Sequence, residues 1–401
     1  MTLPPCSILS QALLLASFAL ISLPQVASAQ MTPAGAYLDR LLGNTTRMVQ
    51  NLPNIIAAAE AAADNMFTGG TLWLAGDSAF VSEGLGRAGG IMTARNLSDV
   101  GQLSRDDVVL LGSLTGREAD DTAILQAAAD VGALVIFFAP QNLPGGHLFL
   151  DACASSDDNS GTLPIISPMI TANLWTFTGE LVAALTRRGK MPPMYQSVLV
   201  PGGSERNAAN SGRQWDTQQV PPVAAGLLGR TYLARLANIM RRLRATQLDN
   251  FAAAGRLAAA ARRAGNTLWY GCLGHMLPMQ SNMPANPGIV QPVPGNRADN
   301  LPDVLKPGDV VLYVGYYEPN GPWVAATHGA GAKIVTVVSG TPDRPAEKMG
   351  ADININGCWA YGDALVEVPG YDVKILPPSG VIQTAAYWML LAETTFGRAT
   401  R

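Results

Sequence analysis

One pattern of helix, glycine turn and apolar strand occurs twice in this chain, and that repetition limits its architecture more than any other feature. An Ala-rich stretch, residues 55–66, runs through Gly69-Gly70 into Thr71-Leu72-Trp73-Leu74-Ala75-Gly76. Residues 251–264 run through Gly265-Asn266 into Thr267-Leu268-Trp269-Tyr270-Gly271. Downstream, Leu103-Ser104-Arg105-Asp106-Asp107-Val108-Val109-Leu110 matches Leu305-Lys306-Pro307-Gly308-Asp309-Val310-Val311-Leu312, and residues 132–137 match residues 331–336. Pairing residue 72 with 268, 109 with 311 and 133 with 332 leaves only a small drift, as loop insertions in a duplicated domain would produce.

The strands in both copies are short, rich in Val, Leu and Ile, and lack polar alternation, the pattern of strands covered on both faces. Alternated with helices, they predict two tandem three-layer α/β/α sandwiches with parallel sheets. The expected boundaries are a first domain at 35–194, a linker or exposed loop at 195–228 and a second domain at 229–395. Each copy ends alike. Ile165-Ile166-Ser167-Pro168 leads into a helix through Leu185, and Ile375-Leu376-Pro377-Pro378-Ser379 leads into another from Val381 to Thr395. Trp175, Phe177, Tyr387 and Trp388 lie on these helices and are expected to pack in the core.

Composition narrows the function classes. Of 401 residues 48% are hydrophobic and 14% charged, with a net charge of −3, which disfavours a nucleic-acid-binding face. Part of the apolar excess is N-terminal: the run from Ala12 to Leu23 before Ala27-Ser28-Ala29 reads as a signal peptide over residues 1–29, although its first ten residues lack Lys and Arg. The expectation is a secreted or periplasmic protein with no membrane span after cleavage. Cys153, Cys272 and Cys358 would remain, too few for a disulfide framework; an oxidising compartment would permit one bond, with Cys272 and Cys358 the pair most apt to share a domain. No Cys-x-x-Cys or His-x-x-x-His spacing occurs, so neither a metal nor a cofactor is expected.

Ligands of open parallel sheets gather at the carboxyl ends of the strands. In the first copy the loops there are Gly76-Asp77-Ser78 and Gly112-Ser113-Leu114-Thr115-Gly116. Small hydroxyl residues between glycines, opening a helix, suit an anion, which makes Ser78, Ser113, Thr115 and Gly116 candidate ligand-binding residues; they equally suit helix caps and turns. The second copy has Gly271-Cys272-Leu273-Gly274-His275 and Gly315-Tyr316-Tyr317-Glu318 instead. It lacks the hydroxyls but offers His275 and Glu318, which move protons near neutral pH. Glu83 is a third catalytic candidate, though with Arg87 four residues on, a surface ion pair is its default reading. Glu180 and Glu393 hold similar places in the two closing helices and are expected to be solvated.

Together these elements resemble the SIS (sugar isomerase) domain family, and more closely a branch of it marked by Gly-x-Gly-His-Ser-His-Met-Leu, Tyr-Arg-Ala-Gly-Gly, Ser-Asn-Ser-Gly-Arg-Asn and Gly-Asp-Ala-Leu-Ile-Glu. Here Arg87-Ala88-Gly89-Gly90, Ser113-Leu114-Thr115-Gly116, Gly274-His275-Met276-Leu277 and Gly362-Asp363-Ala364-Leu365-Val366-Glu367 carry the likeness, and neither copy holds the full set. The resemblance implies a sugar or sugar phosphate as ligand, aldose-ketose isomerisation as one activity, and a homodimer whose sites form between subunits, which a fused pair would reproduce internally. Export sits awkwardly with phosphosugars. Three readings stay open: an isomerase using Glu318 or Glu83 with His275, a non-catalytic carbohydrate-binding module, and an exported two-lobed solute-binding receptor.

Overall fold

The computed structural model describes residues 32–116, 119–154, 163–275, 286–317 and 321–397. In the first half α1 (Pro33–Gln50) and α2 (Leu52–Phe67) precede β1 (Leu72–Gly76), α3 (Ser78–Gly84), β2 (Arg95–Asn96), β3 (Val108–Gly112), α4 (Ala119–Val131), β4 (Leu134–Ala139), β5 (Leu148–Asp151) and α5 (Ile166–Arg187). A helix α6 (Gly203–Asn210) falls inside the segment expected to be an exposed linker. The second half runs α7 (Leu227–Thr246), α8 (Leu248–Arg263), β6 (Leu268–Cys272), β7 (Gln291–Pro292), α9 (Leu301–Val304), β8 (Val310–Val314), α10 (Gly321–Gly329), β9 (Lys333–Val338), β10 (Ile353–Asn356) and α11 (Ser379–Phe396).

Both sheets are parallel and five-stranded, ordered β2-β1-β3-β4-β5 and β10-β9-β8-β6-β7, the same order read from opposite ends. This is the expected fold class. Registers match too: Leu72 lies beside Val108 as Leu268 lies beside Val310. Alternate residues serve two cores. Leu72, Leu74, Val108 and Leu110 face a large cluster shared by both halves. Trp73, Ala75, Val109 and Leu111 face a smaller one with Leu125 and Ala128 of α4. Apolar residues at consecutive positions are thus the requirement of a sheet covered twice.

The repeated Thr-x-Trp and Asp-Val-Val elements have one physical cause. Asp107 accepts hydrogen bonds from Thr71 N (2.8 Å), Trp73 Nε1 (3.0 Å) and Ser104 N (2.8 Å). Asp309 accepts from Thr267 N (2.9 Å), Trp269 Nε1 (3.0 Å) and Lys306 N (3.0 Å). Each buried carboxylate fixes the amino end of its central strand pair by filling its acceptor sites with donors.

Between the sheets lie α1, α2, α5, α7, α8 and α11, and the leading helices are exchanged: α5 packs on α7 and α11 packs on α1. The four aromatics expected in the core are there, each no more than 1% exposed. Glu180 and Glu393 depart from expectation, for both are buried. Glu180 accepts from Gly226 N (2.7 Å) and Gly229 N (2.8 Å) at the start of α7, and Glu393 accepts from Ala34 N (2.8 Å) at the start of α1. A helix N-terminus presents unpaired N–H groups and positive potential, so a carboxylate from the opposite half satisfies it where water cannot reach. The three described cysteines are free and buried, so Cys272 and Cys358 form no bond. Removing the Glu180 carboxylate leaves two enclosed donors without an acceptor; Glu180→Ala is expected to cost about 2–4 kcal/mol in urea unfolding, and Glu180→Gln, which keeps one acceptor, distinctly less.

Candidate active site

Helix α3 begins where β1 ends, capped by Asp77, whose carboxylate accepts from Ala79 N (2.8 Å). Its far end brings Glu83 and then Arg87 towards the other half. The spacing suggested a surface pair, but Glu83 is 1% and Arg87 2% exposed. Spacing fixes which residues share a helix face; it does not fix what covers that face. Here α5 and the start of α11 cover it. Trp175 Nε1 donates to Glu83 Oε1 (2.9 Å), and a Cβ at Gly380 would lie 2.1 Å from that same oxygen, so only glycine leaves room for the carboxylate.

The Arg87 guanidinium is held by both halves. It lies 3.4 Å from Glu83 Oε1 and 3.4 Å from Asp363 Oδ2, and donates to Ser379 Oγ (2.6 Å) and to the Tyr316 hydroxyl, whose ring it also overlies at 5.4 Å. Ser379 completes the link, donating to Asp363 from Oγ (2.6 Å) and from its backbone N (3.2 Å). The Arg-Ala-Gly-Gly element of the first half and the Gly-Asp-Ala element of the second therefore meet. Gly89 shows how closely: at φ +76° it would set a Cβ 2.6 Å from Leu376 N, and its carbonyl accepts from that N–H (3.0 Å).

Charge in this cluster is unbalanced: two enclosed carboxylates share one enclosed guanidinium. Burial works against the Arg87 charge, but Glu83, Tyr316 and Asp363 more than restore it. Burial lifts Asp363 to about 6 against the pull of Arg87 and Ser379, with Glu83 adding to the rise. Glu83 is raised for the same first reason, burial, and opposed by Arg87 and Trp175.

Beside the cluster is a cavity of about 190 Å³ lined by Arg87, Asp363, Tyr316 and His275 and by the strap Tyr195–Leu199. His275 Nδ1 lies 2.7 Å from the Ser82 carbonyl oxygen. A carbonyl only accepts, so Nδ1 carries the hydrogen and Nε2 keeps its lone pair. Burial, with the Arg87 charge, holds the imidazole neutral by pulling its pKa down to about 4.

The residues expected from sequence are dispersed. His275 and Glu83 converge on Arg87, with His275 on the cavity and Glu83 behind the guanidinium. Glu318 lies outside the described residues. Ser78 is exposed in the first turn of α3, and Thr115 is exposed after β3. Ser113 is buried, and its hydroxyl accepts from Gly116 N (2.7 Å) in a tight turn where Gly116 takes φ +67°. None of these four lines this cavity. Sequence reasoning passed over Tyr316, Ser379 and the strap as site residues; the readable signal was the presence of an Arg-Ala-Gly-Gly element in one half and a Gly-Asp-Ala element in the other. Among the described residues no group of His, Cys, Asp and Glu could hold a metal, and no helix is long and apolar enough to cross a membrane.

No family model matches the chain, and no curated protein matches it. Solved structures similar to it include a protein described as sugar binding from Salmonella typhimurium LT2, with TM-score 0.48 and 12% identity over 90% of this chain and 100% of that one. Tagatose-6-phosphate ketose/aldose isomerase from Escherichia coli has TM-score 0.45 and 10% identity over 91% and 92%. The C-terminal domain of glucosamine-fructose-6-phosphate aminotransferase from Francisella tularensis has TM-score 0.42 and 9% identity over 88% and 96%. Identities this low say nothing of activity.

The titrations give opposite signs in stability. Between about pH 4 and 6 the folded chain binds more protons at Asp363 than the unfolded chain does, so that contribution falls as pH rises. At His275 the folded chain binds fewer protons between about 4 and 6.5, so that contribution grows as pH rises. Urea unfolding at half-unit pH steps is expected to show Asp363→Asn losing the first trend and His275→Gln the second.

Proposed function

We propose that this protein binds a carbohydrate derivative of the kind SIS domains take, in the cavity beside Arg87 and Asp363. One observation carries the reading: two motif elements that resemble that family, one from each half, meet at a 3.4 Å guanidinium-carboxylate contact on the wall of a cavity. A volume near 190 Å³ falls below the roughly 300–1,000 Å³ of sites for drug-sized ligands, which suits a single sugar unit. The lining supports the same reading, since it includes the aromatic residues Tyr316 and Tyr195 and the polar residues Gln196 and Ser197. The first 29 residues act in this proposal as an export signal, so the binding takes place outside the cytoplasm. The two halves stand in for the two subunits of a dimer, and pairing with a further copy is not needed to complete the cavity.

Aldose-ketose isomerisation is the second reading, and His275 favours it. A neutral imidazole with an Nε2 lone pair on a cavity-lining residue can accept a proton from a carbon beside a carbonyl, as a weak base with its pKa at about 4. Glu83 is poorly suited to that role, enclosed behind Arg87 and bonded to Trp175. The mature chain, incubated with a panel of sugars and amino sugars, is expected to unfold at higher temperature with its ligand; no shift with any sugar sinks the binding proposal. Isomerisation further requires solvent deuterium to enter the substrate next to its carbonyl, at a rate reduced at least a hundredfold in His275→Gln with binding kept. Binding without exchange leaves the module reading standing alone.

A further inference from the structure

Resting on the binding proposal above, we infer that this cavity selects unphosphorylated sugars and, among them, those bearing a basic amine. A phosphate is held by cationic groups free to face it or by a hydroxyl-bearing loop that opens a helix, and the Ser113–Gly116 loop does not line this cavity. Among the described residues the cavity wall holds one cation, Arg87, and no lysine. That guanidinium is already committed to Glu83, Asp363, Ser379 and Tyr316. Of its two carboxylate neighbours Asp363 lines the cavity and Glu83 is enclosed behind it, so the cluster as a whole holds more carboxylate than guanidinium. His275 adds no positive charge near neutral pH.

The surroundings do not supply what the wall lacks. Arg206, next to the lining residue Asn207, is turned to Asp372 (2.8 Å) and the Tyr371 hydroxyl (2.9 Å). Lys374, in a second cavity across the strap, pairs with Glu367 at 3.1 Å. An anion entering here would meet desolvation and like charge together, whereas an ammonium group would offset the surplus carboxylate. Oδ1 of Asp363 accepts only one described hydrogen bond, at 3.2 Å from Ser379 N, and so retains lone-pair capacity for such a group.

Calorimetric titration of the mature chain with matched pairs tests this: glucosamine and galactosamine, their 6-phosphates, and glucose and galactose. The expected order is amine tighter than neutral sugar, with each 6-phosphate at least tenfold weaker than its parent. Asp363→Asn is expected to remove the amine preference. Since that change alters the buried cluster, a second variant stands outside it. Val198 is 64% exposed in the strap that lines the cavity, and Val198→Lys is expected to narrow the gap between each sugar and its 6-phosphate on the order of tenfold. A 6-phosphate that binds the unmodified chain as tightly as its parent overturns this inference and leaves the binding proposal intact. A chain that binds neither member of any pair overturns both.

Discussion

A buried guanidinium joins the two halves, and the rest of the site is arranged around satisfying it. Arg87 comes from the first half; Asp363, Ser379 and Tyr316 come from the second. Removing a charged group of this kind from water costs several kcal/mol, offset only when partners surround it; here Ser379 and Tyr316 accept from it and Glu83 and Asp363 neutralise it, while Nε makes no hydrogen bond. That condition fixes more than one side chain. Gly89 must be glycine for the second half's chain to approach, Gly380 must be glycine to admit Glu83, and Trp175 must aim its indole N–H at the same carboxylate. Cavity, cluster and inter-half contact are therefore one construction, and a change in any of them is felt in the others.

The exchange of leading helices works towards the same end at a larger scale. Because α7 packs on α5 and α1 on α11, each half lends its first helix to the other's closing helix. Glu180 and Glu393 sit at those two junctions, where each closes a helix N-terminus belonging to the opposite half. A hydrophobic seam alone would tolerate sliding. A carboxylate accepting N–H groups at 2.7–2.8 Å sets the axial position of each helix against its partner. That positional certainty is what allows Arg87 and Asp363, contributed by separate sheets, to meet within contact distance.

Much of this was legible in the chain because packing requirements act residue by residue. Strands buried on both faces need uninterrupted apolar residues, and Asp107 and Asp309 need the Thr and Trp donors that recur at matching places, so the repeat could be read directly. What could not be read was the side on which each polar residue is covered. Glu83, Glu180 and Glu393 all stand at helical positions compatible with solvent, and each is buried by an element distant in sequence or from the other half. Likewise the hydroxyls of Ser78, Ser113 and Thr115 were equally consistent with an anion cradle and with capping. For Ser113 the structure shows the local use, an acceptor for Gly116 N.

The distribution of likeness between the halves bears on how many sites the molecule has. Scaffold features come in pairs down to unusual detail. Cys153 and Cys358 both take positive φ, 55° and 64°, and both receive a side-chain oxygen on their N–H at 2.8 Å, from Asp151 and Asn356. Arg47 and Arg242, on α1 and α7, donate to their carbonyls. Among the described residues the cluster features are single. Residues 276–285 after β6 contain no counterpart of Arg87, although Asp158 stands five residues after Cys153 as Asp363 stands five after Cys358. Selection for packing acts on both halves alike, since each sheet must be covered, whereas a ligand needs its charged contacts only where it binds. The halves are therefore alike where each sheet must be covered and unlike where Arg87 meets Asp363.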